Sequence, residues 1–247
     1  MYHKFALAAS KHESEKSLPI NAVIFDLDGT ITSFNLDYKE LRGEVRAYLI
    51  KIGIPTSTLK VNESIFEMLK TSELYLKNSS KTDLNIQQVK KEVYIITEKF
   101  ELEAASTTNL LPGAYETLKI LKAKELKIAL CTMNSQKTAN NILKRFKLTE
   151  FFDATVPRES TDEIKPNPNH LGISLKILEI PATEAIVVGD STIDMQSAKE
   201  LNVFAVGVTS GTSTKDQLIN AGANYIITSI TDLPVLIERI NKEEITK

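Results

Sequence analysis

The chain carries a single cysteine in 247 residues, so no disulfide can form within it, and the reducing cytoplasm is the expected location. Cys131 lies in an apolar run beside Thr132 and reads as a small core residue rather than a nucleophile. Long hydrophobic runs are missing as well. Nothing approaches the ~18 residues of a membrane span, and the apolar residues 5–9 are too few for a signal-peptide core. A net charge of −2 gives no whole-chain attraction to nucleic acid or to an anionic membrane. The three histidines, at 3, 12 and 170, are too scattered for a zinc site or a histidine-dependent triad, and His170 is expected to pack within a helix. There is no Gly-x-x-x-x-Gly-Lys-Ser/Thr, and Gly207 and Gly211 lack the full dinucleotide fingerprint. Repeats, heptad arrays and low-complexity tracts are also missing. With 42% hydrophobic and 25% charged residues, the chain has ordinary globular composition and ample length for a core.

Residues 1–19 are polar and aperiodic and read as a poorly ordered extension. From Asn21 onward, strand and helix signals alternate. A first strand ends at Phe25, and further strands are expected at 127–131, 184–188, 203–208 and, more weakly, 225–228. Helices are expected at 114–124, 136–146, 169–178, 193–201 and 215–221. This alternation implies parallel pairing with right-handed crossovers, hence a three-layer α/β sheet. Residues 35–108 break it. Leu41, Val45, Leu49 and Ile52 recur at helical spacing before Gly53; Val61, Ile65, Met68 and Leu69 repeat the pattern; Ile86, Val89, Val93, Ile96 and Phe100 give a longer helix. The expected organisation is a sheet core of residues 20–34 with 109–247, into which a small helical unit of residues 35–108 is inserted on two linkers.

The chemistry concentrates at strand ends. After Val23, Ile24 and Phe25 come Asp26, Leu27, Asp28, Gly29 and Thr30, placing two carboxylates on one side of an extended chain before a glycine turns it away. Open α/β sheets bind ligands at such carboxyl ends. Two acids this close repel each other unless a cation lies between them, and a hard divalent ion such as Mg²⁺ suits oxygen ligands. The strand ending at Cys131 delivers Thr132, whose hydroxyl and the following amides of Met133 and Asn134 can hold a phosphate. Lys165, stiffened by Pro166 and Pro168 before a helix, can neutralise both a carboxylate and an incoming phosphate. Ile186 to Val188 lead into Gly189 and Asp190, a third metal carboxylate, with Asp194 in the first turn of the next helix. Asp194 can bind a metal-bound water or orient Lys165.

Together these residues resemble the four motifs of the haloacid dehalogenase superfamily, most of whose members are Mg²⁺-dependent phosphatases. The resemblance spans about residues 21–237. Two departures stand out: many members place Asn directly after the Thr, whereas Met133 intervenes here, and Asn202 stands where a Gly often ends the fourth-motif helix. The resemblance implies a Rossmann-like core with a helical cap of type C1 and membership of the phosphoglycolate phosphatase-like group. It makes Asp26 the nucleophile and Asp28 the general acid/base. It gives Mg²⁺ to Asp26, Asp28 (through its backbone carbonyl), Asp190 and Asp194, and phosphate to Thr132, Met133, Asn134 and Lys165. The expected partner is a small phosphorylated metabolite, with no nucleic acid or membrane, acted on by a monomer or homodimer. Alternatives are a phosphosugar mutase of the β-phosphoglucomutase type, a pyrophosphatase or nucleotidase, and a non-catalytic binding protein. A dehalogenase is disfavoured because that branch does not keep the second Asp of the first motif.

Overall fold

The computed structural model describes residues 6–7, 19–79 and 85–245. It divides into two compact units, Met1–Phe34 with Thr108–Lys247, and Asn35–Thr107. In chain order the elements begin with β1 (Ala6–Leu7), β2 (Ala22–Phe25), α1 (Tyr38–Lys51), α2 (Ile65–Asn78) and α3 (Ile86–Thr107). They continue with α4 (Ala114–Ala123), β3 (Lys127–Cys131), α5 (Gln136–Arg145), β4 (Ala154–Val156), α6 (Pro168–Leu178) and β5 (Ala185–Gly189). The last are α7 (Thr192–Glu200), β6 (Phe204–Val208), α8 (Lys215–Ala221), β7 (Tyr225–Ile227) and α9 (Leu233–Ile245). Among the described residues no helix is long and apolar enough to cross a membrane.

The sheet runs β1-β7-β6-β5-β2-β3-β4, with every pair from β7 to β4 parallel. All four residues of β2 are buried, as a strand covered on both faces must be, and its residues are apolar throughout. Phe25 pairs with Leu130 on one side and Val188 on the other, so the strands β2, β3 and β5 end at one level. The chain moves outward from β2 through β3 to β4, then returns to β5 on the opposite side. The strand order therefore reverses at β2, which creates a crevice at the carboxyl ends.

Three features depart from the sequence reading of this unit. Ala6–Leu7, inside the supposed extension, pairs antiparallel with β7, while residues 1–5 and 8–18 lie outside the described set. β4 and α9 form at positions where no element was expected. The buried stripe Leu233, Leu236, Ile237 and Ile240 accounts for α9.

In the helical unit Leu41, Val45 and Leu49 of α1 are buried with Ile65, Met68 and Leu69 of α2 and Val89, Val93 and Phe100 of α3. Asp37 caps α1 by accepting from the Glu40 N–H at 2.9 Å. Ser64 and Glu67 exchange bonds as a capping box, which starts α2 at Ile65. Val61 consequently falls before that helix and is 70% exposed, so it is not part of the apolar stripe assigned to it. Where the chain leaves and re-enters the core unit, Ser33 and Thr108 bond through their hydroxyls at 3.1 Å and Thr108 also donates to the Ser33 carbonyl at 2.7 Å.

Candidate active site

Asp26 follows the last residue of β2, and its N–H donates to Val188 O at 2.9 Å, extending the ladder one step beyond the strand. Leu27 turns inward and is fully buried, leaving Asp26 and Asp28 largely but not fully buried on the other side, as extended alternation requires. Gly29 then adopts φ +82°, a left-handed conformation that sets the turn. Asp190 follows β5 at the neighbouring tip. Asp194 enters from α7, where its Oδ2 accepts from the Ser191 hydroxyl at 2.5 Å in a capping box. One oxygen each of Asp26, Asp190 and Asp194 lie within 4.8 Å of one another.

Lys165 joins two of these acids. Its Nζ donates to Asp26 Oδ1 at 2.7 Å, to Asp194 Oδ1 at 2.6 Å and to the Cys131 carbonyl at 2.9 Å, with its side chain only 2% exposed. Burial opposes the ammonium, but Asp194 and Asp26 outweigh it and hold Lys165 above the ordinary lysine value. Burial is also the first cause that lifts Asp26 well above the usual carboxylate range, followed by repulsion from Asp194 and Asp190, against the pull of Lys165. Asp190 is raised by burial and then by Asp194. The Cys131 thiol is pushed up to about 12, chiefly by burial, and is inert.

The Asp28 carboxylate is not in the three-acid cluster. Its Oδ2 accepts from Asn134 Nδ2 at 2.6 Å and its Oδ1 from the Thr32 hydroxyl at 3.3 Å. Asn134 thus turns its side chain to Asp28. Thr132 is buried at the end of β3, and its Oγ1 accepts from the Asn134 N–H at 3.1 Å, leaving its own hydroxyl proton for another acceptor. The Met133 carbonyl accepts from Arg158 at 2.9 Å.

A loop after β6, outside the four motifs, completes the site. Thr212 donates its N–H and hydroxyl to Asp190 Oδ2 at 2.6 and 2.9 Å, and Ser210 donates to Gly29 O at 2.7 Å. A Cβ added at Gly211 would run into the Asp190 carboxylate, and one at Gly29 would lie 2.6 Å from Asp190 Oδ2. Only glycine permits this approach. The available signal was Thr-Ser-Gly-Thr-Ser directly after a strand adjoining β5.

The donor set suits a hard divalent ion. It is all carboxylate, it concentrates negative charge, and the observed spread is close to the roughly 4.2 Å between opposite oxygens around Mg²⁺. Both Asp194 oxygens are engaged, by Lys165 and Ser191.

The family described as haloacid dehalogenase-like hydrolase matches residues 23–208, and the chain belongs to it. It is an enzyme of that family's phosphatase class. Over 229 residues it is 31% identical to a protein of Caldanaerobacter subterraneus subsp. tengcongensis carrying the pyrophosphatase PpaX name, covering 92% of this chain and 99% of that one. It is 27% identical to a phosphoglycolate phosphatase of Neisseria meningitidis, covering 91% and 97% of the two chains. The crystal structure of β-phosphoglucomutase from Clostridium difficile superposes with a TM-score of 0.65 at 24% identity, covering 92% and 100%, and shares the fold.

Proposed function

We propose that this chain is a cytoplasmic, Mg²⁺-dependent phosphatase that hydrolyses a small organic phosphate monoester through a phosphoryl group on Asp26, as a monomer or homodimer. The observation that carries this reading is Asp26 itself. It stands at the β2 tip, bonded to a buried lysine, beside two further acids, with Asp28 two residues along. Asp26, Asp190 and the backbone carbonyl of Asp28 would hold the metal, with Asp194 orienting Lys165. Once bound, the ion would offset negative charge on the transferring phosphoryl oxygens.

The chain's own residues divide the remaining work. An Asp26 oxygen attacks phosphorus as the ester P–O bond breaks, and Asp28 gives its proton to the departing alcohol oxygen. Water then attacks the phosphorylated Asp26, losing its proton to Asp28. The bond between phosphorus and the Asp26 oxygen breaks, releasing inorganic phosphate and regenerating both acids. Lys165 and the Thr132 hydroxyl orient the other phosphoryl oxygens, aided by the amides of Met133 and Asn134. Every residue in this scheme belongs to the core unit, so the Asn35–Thr107 unit is our candidate for selecting the leaving group.

A second reading, hydrolysis of pyrophosphate, is favoured by the similarity to proteins named pyrophosphatase PpaX. Phosphate release from phosphoglycolate, pyrophosphate and p-nitrophenyl phosphate, by chelator-treated protein with and without added Mg²⁺, tests both. Turnover that requires the metal is expected. Equal inertness under both conditions across all three substrates removes the phosphatase reading.

A further inference from the structure

We propose that Arg158 is a positioning residue that fixes the Asp28 carboxyl through Asn134. This rests on the phosphatase reading, in which Asp28 is the acid/base. Arg158 has no exposed surface, although burying a guanidinium is unfavourable unless its donors are used. Its Nη1 donates to Met133 O at 2.9 Å, and its backbone N–H donates to Asn134 O at 3.1 Å. Its Nη2 lies 3.8 Å from Glu159 Oε1. The Glu159 Oε2 in turn accepts from the Gln136 N–H, at the start of α5, at 2.9 Å. One turn of chain, Arg158–Ser160, therefore grips the loop after β3 at residues 133, 134 and 136.

What that grip holds in place is the Asn134 side chain. Asn134 is 7% exposed, its own N–H is committed to Thr132 Oγ1, and its Nδ2 reaches Asp28 Oδ2 at 2.6 Å. Thr32 also contacts this carboxylate, at a longer 3.3 Å. The short Asn134 bond restrains how the carboxyl is rotated. A short side chain can make so close a contact only from a fixed backbone, and Arg158 fixes the peptide on each side of the Asn134 Cα. With Oδ2 held, the acid presents its proton to the leaving oxygen in one orientation rather than an average of several. Arg158 lies outside the four motifs, and Met133, the departure from the family pattern, supplies the carbonyl that it grips.

Proton donation matters most for a basic leaving group, so the test is kcat/KM with Mg²⁺ over a series running from p-nitrophenyl phosphate to alkyl phosphates. Arg158→Met and Asn134→Ala should each lose about 100-fold more on alkyl esters than on the p-nitrophenyl ester, which needs little help from an acid. Arg158→Lys should recover part of the difference. Should Arg158→Met not fold, Arg158→Lys replaces it in the comparison, and a wild-type leaving-group dependence there overturns the proposal. A uniform loss across the series overturns it too while leaving the phosphatase reading intact. So does a steepening in the Arg158 variants with none in Asn134→Ala. A wild-type protein inert on every ester removes the phosphatase reading, and this proposal with it.

Discussion

Replacing Lys165 with methionine tests the electrostatic account of the site most directly. The side chain is 2% exposed and satisfies three acceptors, two of them carboxylates that are themselves 2% and 13% exposed. Methionine fills a similar volume but leaves Asp26 and Asp194 facing each other without their shared cation, with Asp190 close by. Removing one partner of a buried pair costs about 3–5 kcal/mol, and the stranded Cys131 carbonyl adds about 1 kcal/mol. A loss of about 4–6 kcal/mol is a large part of a typical total stability of roughly 5–15 kcal/mol. It corresponds to a fall in Tm of roughly 8–24 °C for a chain of this size. The loss should depend on pH. Asp26 already sits above the ordinary carboxylate range, and without Lys165 it moves higher still, so protonation relieves the repulsion on acidification. Urea unfolding of both proteins in chelator should therefore show a larger difference at pH 8 than at pH 5.5. Adding Asp194→Asn to Lys165→Met should cost less than the sum of the single changes. A deficit below about 1 kcal/mol, or one that does not change with pH, would refute the claim that Lys165 neutralises this cluster.

Asp26→Asn should abolish turnover because an amide is a poor nucleophile, whereas Asp28→Asn should let a covalent phosphate accumulate, and mass spectrometry should find it on Asp26 and nowhere else. His170, driven down to about 4 chiefly by burial and then by Lys165, takes up a proton more readily when unfolded. Stability should therefore fall by about 3 kcal/mol as pH drops from roughly 6.5 to 4, and His170→Phe should flatten that part of the urea-midpoint profile. Gly211→Ala pushes a methyl group into Asp190, so activity should need a higher Mg²⁺ concentration while the far-ultraviolet spectrum is unchanged; an unaltered Mg²⁺ dependence counts against that packing. Mg²⁺ should raise Tm in the wild type, by about 2.7 kcal/mol of stability at a hundredfold excess over Kd, and much less in Asp190→Asn.

The sheet was largely legible because its strands are buried on both faces and so appear as uninterrupted apolar runs. Lys127–Cys131 forms with the expected bounds, and the neighbours of Asp26 follow from the levels at which such runs end. Ala154–Val156 was not legible. It has three residues and pairs along one side only, and its alternation of buried Ala154, half-buried Thr155 and buried Val156 is too short to mark a strand. α9 differs, since its stripe follows an ordinary helical period and the pattern was present but unread. Val61 was misassigned because spacing alone does not show where a helix starts, and the Ser64–Glu67 box does. Within the site, side chains delivered by strand tips could be located from sequence. Arg158 and Thr212 could not, because each matters through a loop distant in sequence, and no local pattern states that Thr212 will meet Asp190. The same holds for Asn134: its position in the loop was readable, but its direction depends on Asp28 106 residues earlier.

Charge explains why these pieces are found together. Three buried or half-buried carboxylates face one ammonium, which leaves two negative charges to be offset when all the acids are ionised. The fold alone lowers that cost in several ways: by raising Asp26 and Asp190, by donating Thr212 to Asp190, and by tying Asp194 to Ser191 and Lys165. A cluster maintained only for stability would be improved by exchanging an acid for a neutral residue, since buried charge is rarely the most stable choice. Keeping the excess is useful where a divalent cation is to be gripped and a carboxylate is to remain nucleophilic beside it. The Asp28 carboxylate is turned toward Asn134 and Thr32, outside the cluster of Asp26, Asp190 and Asp194. Under the proposed function, β2 thus delivers a charge-binding carboxylate and a proton-carrying one to a single strand tip.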